Sequence, residues 1–359
     1  MLHKRRTISA GCMRVSKLQA YRNGCFTVKY RSIGIGVLVL IVVAAGAAVL
    51  WISSNATPTG TARLRPADET ELINGQMFRH YFTKAGGYTW HQVELGEGEP
   101  IVFLHGIPGS WFSWHYVMAD LSDNYRTIAV DLKGLGLTDR PDGSYNAETV
   151  ATEFIALMDA LGIDRFTLVG HEWGSIIGSY IAGRYPERVT HFVRIEAPLS
   201  DAALNQIKTM LSIPQIATVV LKDGDGFVRR MYTGKSDSFL MNNVTGPVVM
   251  QPIAETDIAR ISRDFSYEGT AETILRYYTD TPSDYRGTLA ELAKTTTMPV
   301  LLLQAAADPV QPLQFYENAA APFPHATFTV FPDSGQVPML ERPDALAAVI
   351  RSFLTASPG

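Results

Sequence analysis

From about residue 100 to the C-terminus, short apolar runs alternate with stretches that have helical periodicity. Apolar runs of this length are typical of buried parallel strands. Strands are predicted at 101–105, 127–131, 166–169, 189–195, 300–304 and 327–331. Helices are predicted at 146–161, 175–185 and 344–354. This alternation predicts an α/β fold, in which helices flank both faces of a mostly parallel sheet. Ligands of such folds bind at the carboxyl ends of the strands.

The N-terminal segment, residues 1–74, is predicted to be separate from the folded domain that follows it. Residues 1–31 contain eight Lys or Arg and no Asp or Glu, and residues 33–52 form a run of 20 without a charge. Such a run can span a bilayer as a helix. We therefore expect a basic cytoplasmic tail (1–31), a single-pass membrane anchor (32–53) and a polar linker (54–74). Basic residues stay on the cytoplasmic side, so the C-terminal domain should be extracytoplasmic. Cleavage after the apolar run is the alternative, because small residues are abundant there.

Charge and cysteine usage exclude several functions for the rest of the 359-residue chain. After the basic tail, 23 basic and 35 acidic residues remain, which argues against a general basic surface for nucleic acid. Both cysteines, Cys12 and Cys25, precede the predicted anchor. The domain after it therefore has no thiol nucleophile. The eight histidines lack metal-ligand spacing. We expect neither a metal nor a cofactor, and a small molecule as substrate.

The most informative chemistry lies at residues 170–174, with the sequence Gly-His-Glu-Trp-Gly. An apolar run precedes them and a helical pattern follows. A strand, a tight glycine turn and a helix form a nucleophile elbow, which exposes one side chain to a pocket. The elbow usually presents Ser, Cys or Asp, but here it presents Glu172. A second departure lies at residues 334–338, where the side chain expected to act as base is Gln336.

Together with segments 102–110 and 129–141, this elbow resembles the α/β-hydrolase superfamily. The chain is most similar to the epoxide hydrolase and haloalkane dehalogenase branch, over roughly residues 75 to 355. The elbow of that branch typically reads Gly-His-Asp-Trp-Gly. The resemblance implies that an aspartate attacks carbon to form an ester, and that a histidine activates the water that cleaves it. Glu172 and Gln336 replace these two residues.

The resemblance also implies a domain organisation. The core should consist of residues 75–198 and 291–359, with a mainly helical cap inserted at 199–290. Arg276-Tyr277-Tyr278 resembles the cap segment in which a tyrosine donates a hydrogen bond to the oxirane oxygen. Tyr278 matches the position of that tyrosine better, and Tyr277 is the alternative. Tyr232 is the candidate for a second donor.

The remaining site residues follow from the same motifs. The backbone N–H groups of Ile107 and Trp173 should converge as an oxyanion hole. Two residues compete as the acid partner. Asp308 follows a predicted strand, and Glu196 lies in an Ile-Glu-Ala-Pro segment after another. The sequence leaves this choice open.

Three functions remain open. The chain is an epoxide-hydrolase-like enzyme that opens a ring through Glu172, a non-hydrolytic enzyme that uses Glu172 as general acid or base, or a catalytically silent binding protein. An amide cannot accept a proton near neutral pH, so an ester on Glu172 should persist. Gln336 can donate to Glu172, Glu196 or Asp308, and two neighbouring carboxylates can share one proton. Dehalogenation is disfavoured, because position 107 is Ile rather than Asn and the cap contains no Trp.

Overall fold

The computed structural model describes residues 70–196, 205, 208–209, 223–235, 247–313, 316 and 318–356. The predicted tail, anchor and most of the linker lie outside these residues. Within them, no helix is both long and apolar enough to cross a membrane. The anchor therefore stays a prediction.

The described residues contain a nine-stranded sheet in the order β1-β2-β3-β5-β4-β6-β7-β8-β9. The strands are β1 (Thr70–Ile73), β2 (Gln76–Ala85), β3 (Tyr88–Leu95), β4 (Glu99–Leu104), β5 (Tyr125–Val130), β6 (Phe166–His171), β7 (Val189–Ile195), β8 (Val300–Ala305) and β9 (Ala326–Phe331). The first three pair antiparallel, and β3 is antiparallel to β5. From β5 to β9 all pairings are parallel.

Helices pack on this sheet and over one of its ends. The described α-helices are α1 (His115–Leu121), α2 (Ala147–Ala160), α3 (Trp173–Arg184), α4 (Gly224–Thr233), α5 (Glu255–Phe265), α6 (Thr270–Asp280), α7 (Tyr285–Ala293), α8 (Pro338–Glu341) and α9 (Pro343–Ala356). Asn146 caps α2 as expected, because its side chain accepts a hydrogen bond from the N–H of Thr149 at 2.8 Å. Every residue of β6 is buried, as in a strand covered on both faces.

This architecture confirms the predicted α/β class with a mostly parallel sheet. Two features were not predicted. Strands β1 and β2 have many exposed positions, and β3 carries polar residues among its buried positions, so these strands lack the apolar runs of the parallel strands. Strand β1 also lies within residues 54–74, which were predicted to form a linker. In addition, α7 runs past residue 290 and packs on the core helix α3.

The register of the parallel strands determines where the functional loops meet. Leu104 at the end of β4 pairs with Gly170 of β6, and His171 pairs with Ile195 at the end of β7. The loops that follow β4, β6 and β7 therefore leave the sheet side by side. Residues far apart in sequence converge at this edge, as expected for the carboxyl ends of parallel strands.

Candidate active site

The elbow places Glu172 in a conformation that few side chains adopt. Its φ is 49° and its ψ is −111°, so the backbone is strained there. The flanking glycines are required sterically. A Cβ at Gly170 would lie 2.5 Å from the carbonyl oxygen of Gly174, and a Cβ at Gly174 would collide with the carbonyl oxygen of Leu104. The Gly-x-x-x-Gly spacing thus lets the turn fold tightly and lets α3 lie close to β4.

Both predicted oxyanion donors converge on one point, and the carboxylate of Glu172 already occupies it. The backbone nitrogens of Ile107 and Trp173 lie 3.0 Å and 2.7 Å from Oε2 of Glu172. Within the described residues, no hydrogen bond reaches Oε1. The two oxygens of the carboxylate are therefore inequivalent. Oε2 is held by two amides, whereas Oε1 accepts no hydrogen bond from the described residues.

The loop that carries Ile107 is fixed by its own small residues and by His105. A Cβ at Gly106 would lie only 2.8 Å from Cβ of Glu172. The Nδ1–H of His105 donates to the Gly106 carbonyl at 2.8 Å, and its Nε2 accepts from the N–H of Leu132 at 3.0 Å. Both ring nitrogens are therefore in use in the neutral form, and burial lowers the pKa of His105. His105 therefore positions the loop.

The two competing acids, Glu196 and Asp308, belong to one buried cluster. The Ala305 N–H donates to Oε1 of Glu196 at 2.5 Å, and Gln304 donates to its Oε2. Gln304 also donates to Asp308 at 3.2 Å. Burial raises the pKa of Glu196 well above its ordinary value, and the charge of Asp308 and a hydrogen bond with it add to the rise. Burial beside Asp308 therefore favours the neutral form of Glu196.

Gln336 lies beside Asp308 rather than beside Glu172. Its side-chain amide lies 2.7 Å and 2.8 Å from the two carboxylate oxygens of Asp308, and we assign the nitrogen to this side because an amide oxygen there would face only acceptors. Its backbone N–H donates to the carbonyl of Val248, and its carbonyl accepts from Nε2 of His171, each at 2.8 Å. Of the three acceptors that the sequence left open for this amide, the structure selects Asp308. The two carboxylates that the structure brings together through Gln304 are Glu196 and Asp308. The carboxylate of Glu172 instead accepts hydrogen bonds from the N–H groups of Ile107 and Trp173.

Burial governs the charge state of Glu172. Desolvation raises the pKa of its carboxyl to about 8, with a further rise from the charge of Asp308, while the N–H groups of Ile107 and Trp173 oppose it. At pH 7, roughly one molecule in ten carries the charge. The neighbouring His171 is also neutral, because burial lowers its pKa to about 4.

The two adjacent cap tyrosines differ in their environment. The hydroxyl of Tyr277 donates to the carbonyl of Lys133 at 3.0 Å and is buried in the cap–core contact. Tyr278 packs edge-on against Trp173, with ring centroids 5.2 Å apart. Burial raises the pKa of its hydroxyl, and the charge of Glu172 raises it further. Of the two tyrosines, Tyr278 is therefore the one whose hydroxyl pKa is raised by the charge of Glu172.

Tyr232 approaches the same carboxylate from α4. Its hydroxyl donates to the Pro108 carbonyl at 3.1 Å. Burial raises its pKa, followed by the charges of Glu341 and Glu172. The charge of Glu172 therefore affects the pKa of Tyr232, the candidate second donor of the cap.

Two structural side chains of the site were missed in the sequence. Glu341 accepts hydrogen bonds from the N–H groups of Met250, Gln251 and Gly335, at 2.7 to 3.1 Å. It thereby ties a cap segment to the loop of Gln336. Gln304 joins Glu196 to Asp308. A polar residue at the end of a buried strand was the available signal for Gln304, whereas nothing in the sequence marked Glu341.

The described residues contain no group of three or more His, Cys, Asp or Glu side chains arranged to hold a metal. The side chains described around Glu172 carry carboxyl, amide and hydroxyl groups. A strained elbow at the end of a parallel strand, two converging amides and a capping layer of helices define an α/β-hydrolase.

Comparison with known proteins agrees with this class. Residues 99–343 match the family described as alpha/beta hydrolase fold, and the chain belongs to that family. It is 28% identical over 235 residues to the soluble epoxide hydrolase of Corynebacterium sp. (strain C12), covering 62% of this chain and 79% of that protein. It is 27% identical over 303 residues to the cis-3-alkyl-4-alkyloxetan-2-one decarboxylase of Shewanella oneidensis, covering 77% and 89%.

The structure of epoxide hydrolase A from Mycobacterium thermoresistibile has the same fold. The TM-score is 0.66 at 21% identity, covering 78% of this chain and 99% of that chain. The protein is therefore an epoxide-hydrolase-like α/β-hydrolase, as the sequence motifs predicted.

Proposed function

We propose that this enzyme opens a small strained oxygen ring by attack of Glu172 on a ring carbon. One observation carries the proposal. The amides of Ile107 and Trp173 hold one carboxylate oxygen of Glu172 and leave Oε1 without a hydrogen bond from the described residues. A carboxylate held in this way is oriented for attack through Oε1.

The cap supplies donors for the ring oxygen. Tyr278 and Tyr232 both lie within electrostatic reach of Glu172. As Oε1 bonds to carbon, the carbon–oxygen bond of the ring breaks and negative charge develops on the departing oxygen. A hydrogen bond from the Tyr278 hydroxyl stabilises that charge, whereas the Tyr232 hydroxyl must first leave the Pro108 carbonyl to which it donates. The new ester keeps its carbonyl oxygen, Oε2, between the two amides.

The fate of that ester depends on Gln336. Its amide nitrogen faces the carboxylate of Asp308, and an amide takes up no proton near neutral pH. A water molecule near the ester therefore lacks the base that a histidine would provide. With a simple epoxide, the adduct should accumulate instead of turning over.

A second function rests on the protonation of Glu172. A carboxyl group with a pKa of about 8 is a proton donor at neutral pH. Glu172 would then act as general acid on the ring oxygen and form no covalent bond. Isomerisation or cyclisation of the substrate would follow this course.

Names of similar proteins are compatible with ring opening. The Corynebacterium relative is an epoxide hydrolase, and the Shewanella relative is a decarboxylase of an oxetan-2-one. Both names describe strained oxygen rings, of three and four members. A small, mostly apolar molecule with such a ring is the substrate class that we propose.

Intact-protein mass spectrometry after incubation with a panel of terminal epoxides tests the nucleophilic role. We expect a gain of one substrate mass, with the modified peptide carrying the adduct on Glu172. Glu172→Gln should gain no mass, whereas Glu268→Gln, at an exposed cap position, should behave as wild type. Turnover without any adduct, abolished in Glu172→Gln, would support the acid–base function instead.

We also propose that the enzyme is anchored in a membrane through residues 32–53, with its catalytic domain outside the cytoplasm. The support is the uncharged run of 20 residues and the basic segment before it. Residues 54–69 would then tether the domain to the membrane. This arrangement suits an apolar substrate that partitions into lipid.

A further inference from the structure

Exposed apolar side chains are concentrated in the hairpin that strands β1 and β2 form. Six large apolar side chains are exposed among the described residues, and three of them lie in this hairpin. They are Leu72, at 67% exposure, Met77, at 51%, and Tyr81, at 39%. The hairpin comprises only residues 70–85, so this concentration is local and marks a candidate contact surface.

The register of the two strands places these side chains on one face of the hairpin. Leu72 pairs directly with Met77, and residues paired across antiparallel strands point to the same side. Tyr81 follows Met77 at an even spacing along β2, so strand alternation puts it on that side too, with the exposed Arg79 between them. On the opposite side His80 is buried. We call the exposed side, with Leu72, Met77, Arg79 and Tyr81, the hairpin face.

The hairpin is also the first described element after the predicted anchor. Strand β1 begins at Thr70, and the 16 residues 54–69 separate it from the anchor at 32–53. A fully extended chain of that length spans at most about 55 Å. An inserted anchor therefore confines the hairpin covalently to within that distance of a bilayer. Because such a tether makes any further contact with the membrane intramolecular, a small apolar face suffices for it.

We propose that the hairpin face docks on the non-cytoplasmic surface of the bilayer that holds the anchor. Leu72 and Met77 enter the boundary between headgroups and acyl chains, and the ring of Tyr81 lies at the level of the headgroups. The guanidinium of Arg79 binds lipid phosphates. This inference rests on the proposed membrane anchor and is independent of the chemistry proposed for Glu172.

The composition of the hairpin face suits the interfacial zone of a membrane. A tyrosine has an apolar ring and a polar hydroxyl, for which reason tyrosines are enriched at this boundary. The stem of Arg79 can lie along an apolar surface while its charged end stays with water or phosphate. The only acidic residue of the two strands, Glu71, lies on the other side of the hairpin, where Arg260 binds it. Neither strand therefore presents a carboxylate to the lipid.

A second copy of the chain is a poorer occupant of the hairpin face. A stable interface buries about 800 Å² and roughly 20–30 residues on each partner. The hairpin face has three large apolar side chains, and its edge strand β1 is only four residues long. The chain after the basic tail carries 23 basic and 35 acidic residues, so two copies repel each other. A zwitterionic lipid surface lacks this repulsion.

Spin labelling of the full chain tests the docking, because the chain contains no cysteine after Cys25. Cys12→Ser with Cys25→Ser gives a background without thiols, in which Met77→Cys carries the label. The protein is placed in phosphatidylcholine nanodiscs, which leave both faces of the bilayer open to reagents. Relaxation of the label by O2, which concentrates in lipid, is compared with relaxation by a nickel chelate, which stays in water.

Position 330 provides the matched control label. Val330 is 43% exposed on β9, at the opposite edge of the sheet from β1. The ratio of O2 to nickel relaxation at position 77 should exceed the ratio for Val330→Cys by about 5-fold or more, because a hydrated chelate is excluded from an apolar zone.

Removal of a neighbouring apolar side chain shows whether the hairpin face itself drives the contact. Leu72→Ser should lower the relaxation ratio at position 77 by about 2-fold or more, since membrane binding scales with the apolar area buried. Val310→Ser removes another exposed apolar side chain, outside the hairpin, and should leave the ratio unchanged. An unchanged ratio in Leu72→Ser, in protein that is folded by circular dichroism, would overturn the proposal.

A label within the predicted anchor, introduced as Val42→Cys, separates this inference from the anchor on which it rests. A label immersed at position 42 but exposed to water at position 77 would overturn the docking and leave the anchor intact. A label exposed to water at position 42 would overturn both. Exclusion of both reagents at position 77, with spin–spin broadening between copies, would show that a second copy covers the face and would overturn lipid docking.

Discussion

The side-chain amide of Gln336 lies 2.7 Å and 2.8 Å from the two carboxylate oxygens of Asp308, with its nitrogen assigned to the side that faces them. The pair keeps the contact that an acid makes with a catalytic base, but the group facing the acid is an amide. The acid keeps a hydrogen-bonding partner, while the capacity to take a proton from water is lost. The replacement therefore alters the chemistry of the site without dismantling its hydrogen bonds.

Restoring a base and shortening the nucleophile should together create an epoxide hydrolase. In Glu172→Asp with Gln336→His, nucleophile and base act as a unit, so diol formation should exceed that of wild type by about 100-fold or more. Each single variant should be slower than the double variant. Diol is measured by chromatography on an epoxide panel. A double variant that is folded by circular dichroism but no faster than wild type would contradict the assignment of these positions.

The adjacent cap tyrosines should respond differently to the loss of a hydroxyl. Tyr278→Phe should slow formation of the epoxide adduct by about 10-fold or more, because a donor to the ring oxygen is lost. Tyr277→Phe leaves the Lys133 carbonyl without its buried donor and should cost about 1–2 kcal/mol of unfolding free energy. Adduct rates by mass spectrometry and urea unfolding distinguish the two effects. Equal adduct rates in both variants would remove Tyr278 from the mechanism.

The rate of adduct formation should rise with pH. Attack requires the ionised carboxylate, and burial raises the pKa of Glu172 to about 8. The rate should therefore increase nearly 10-fold per pH unit below pH 7 and level off above about pH 8 to 9. Stopped-time mass spectrometry between pH 5 and 10 gives the profile. A rate that falls as the pH rises through 8 would indicate that the protonated form reacts.

Stability should change with pH in the opposite sense. The pKa of Glu172 is higher in the folded state than its ordinary value of 4.5, so folding favours the protonated form. This contribution is fully present below about pH 4.5 and is lost as the pH rises through about 8. Glu172→Gln should therefore gain stability relative to wild type as the pH rises from 5 to 9, as measured by thermal unfolding. A constant difference across this range would place the pKa elsewhere.

The N-terminal segment predicts the topology of the full chain. Protease added to spheroplasts should digest the C-terminal domain while a cytoplasmic marker protein stays intact, because the basic tail remains in the cytoplasm. Protection of the domain until the inner membrane is lysed would reverse the proposed orientation.

The sequence by itself determined the class of fold and the positions of the chemistry. Buried parallel strands are recognisable in the sequence as apolar runs, because both of their faces are covered. The glycines around Glu172 marked the elbow, since close backbone contacts exclude any side chain there. Strands β1 to β3 were not predicted, because their mixed polarity carries no equally clear signal.

Only the tertiary structure decided how the polar side chains pair. The sequence left Glu196 and Asp308 as alternatives, whereas the fold makes them partners, with Gln304 between them. It also directed Gln336 to Asp308 and separated the roles of Tyr277 and Tyr278. The physical reason is that the register of β6, β7 and β8 sets which loop ends meet, and burial at that edge sets which groups keep a proton. Neither register nor burial can be read from residue types alone.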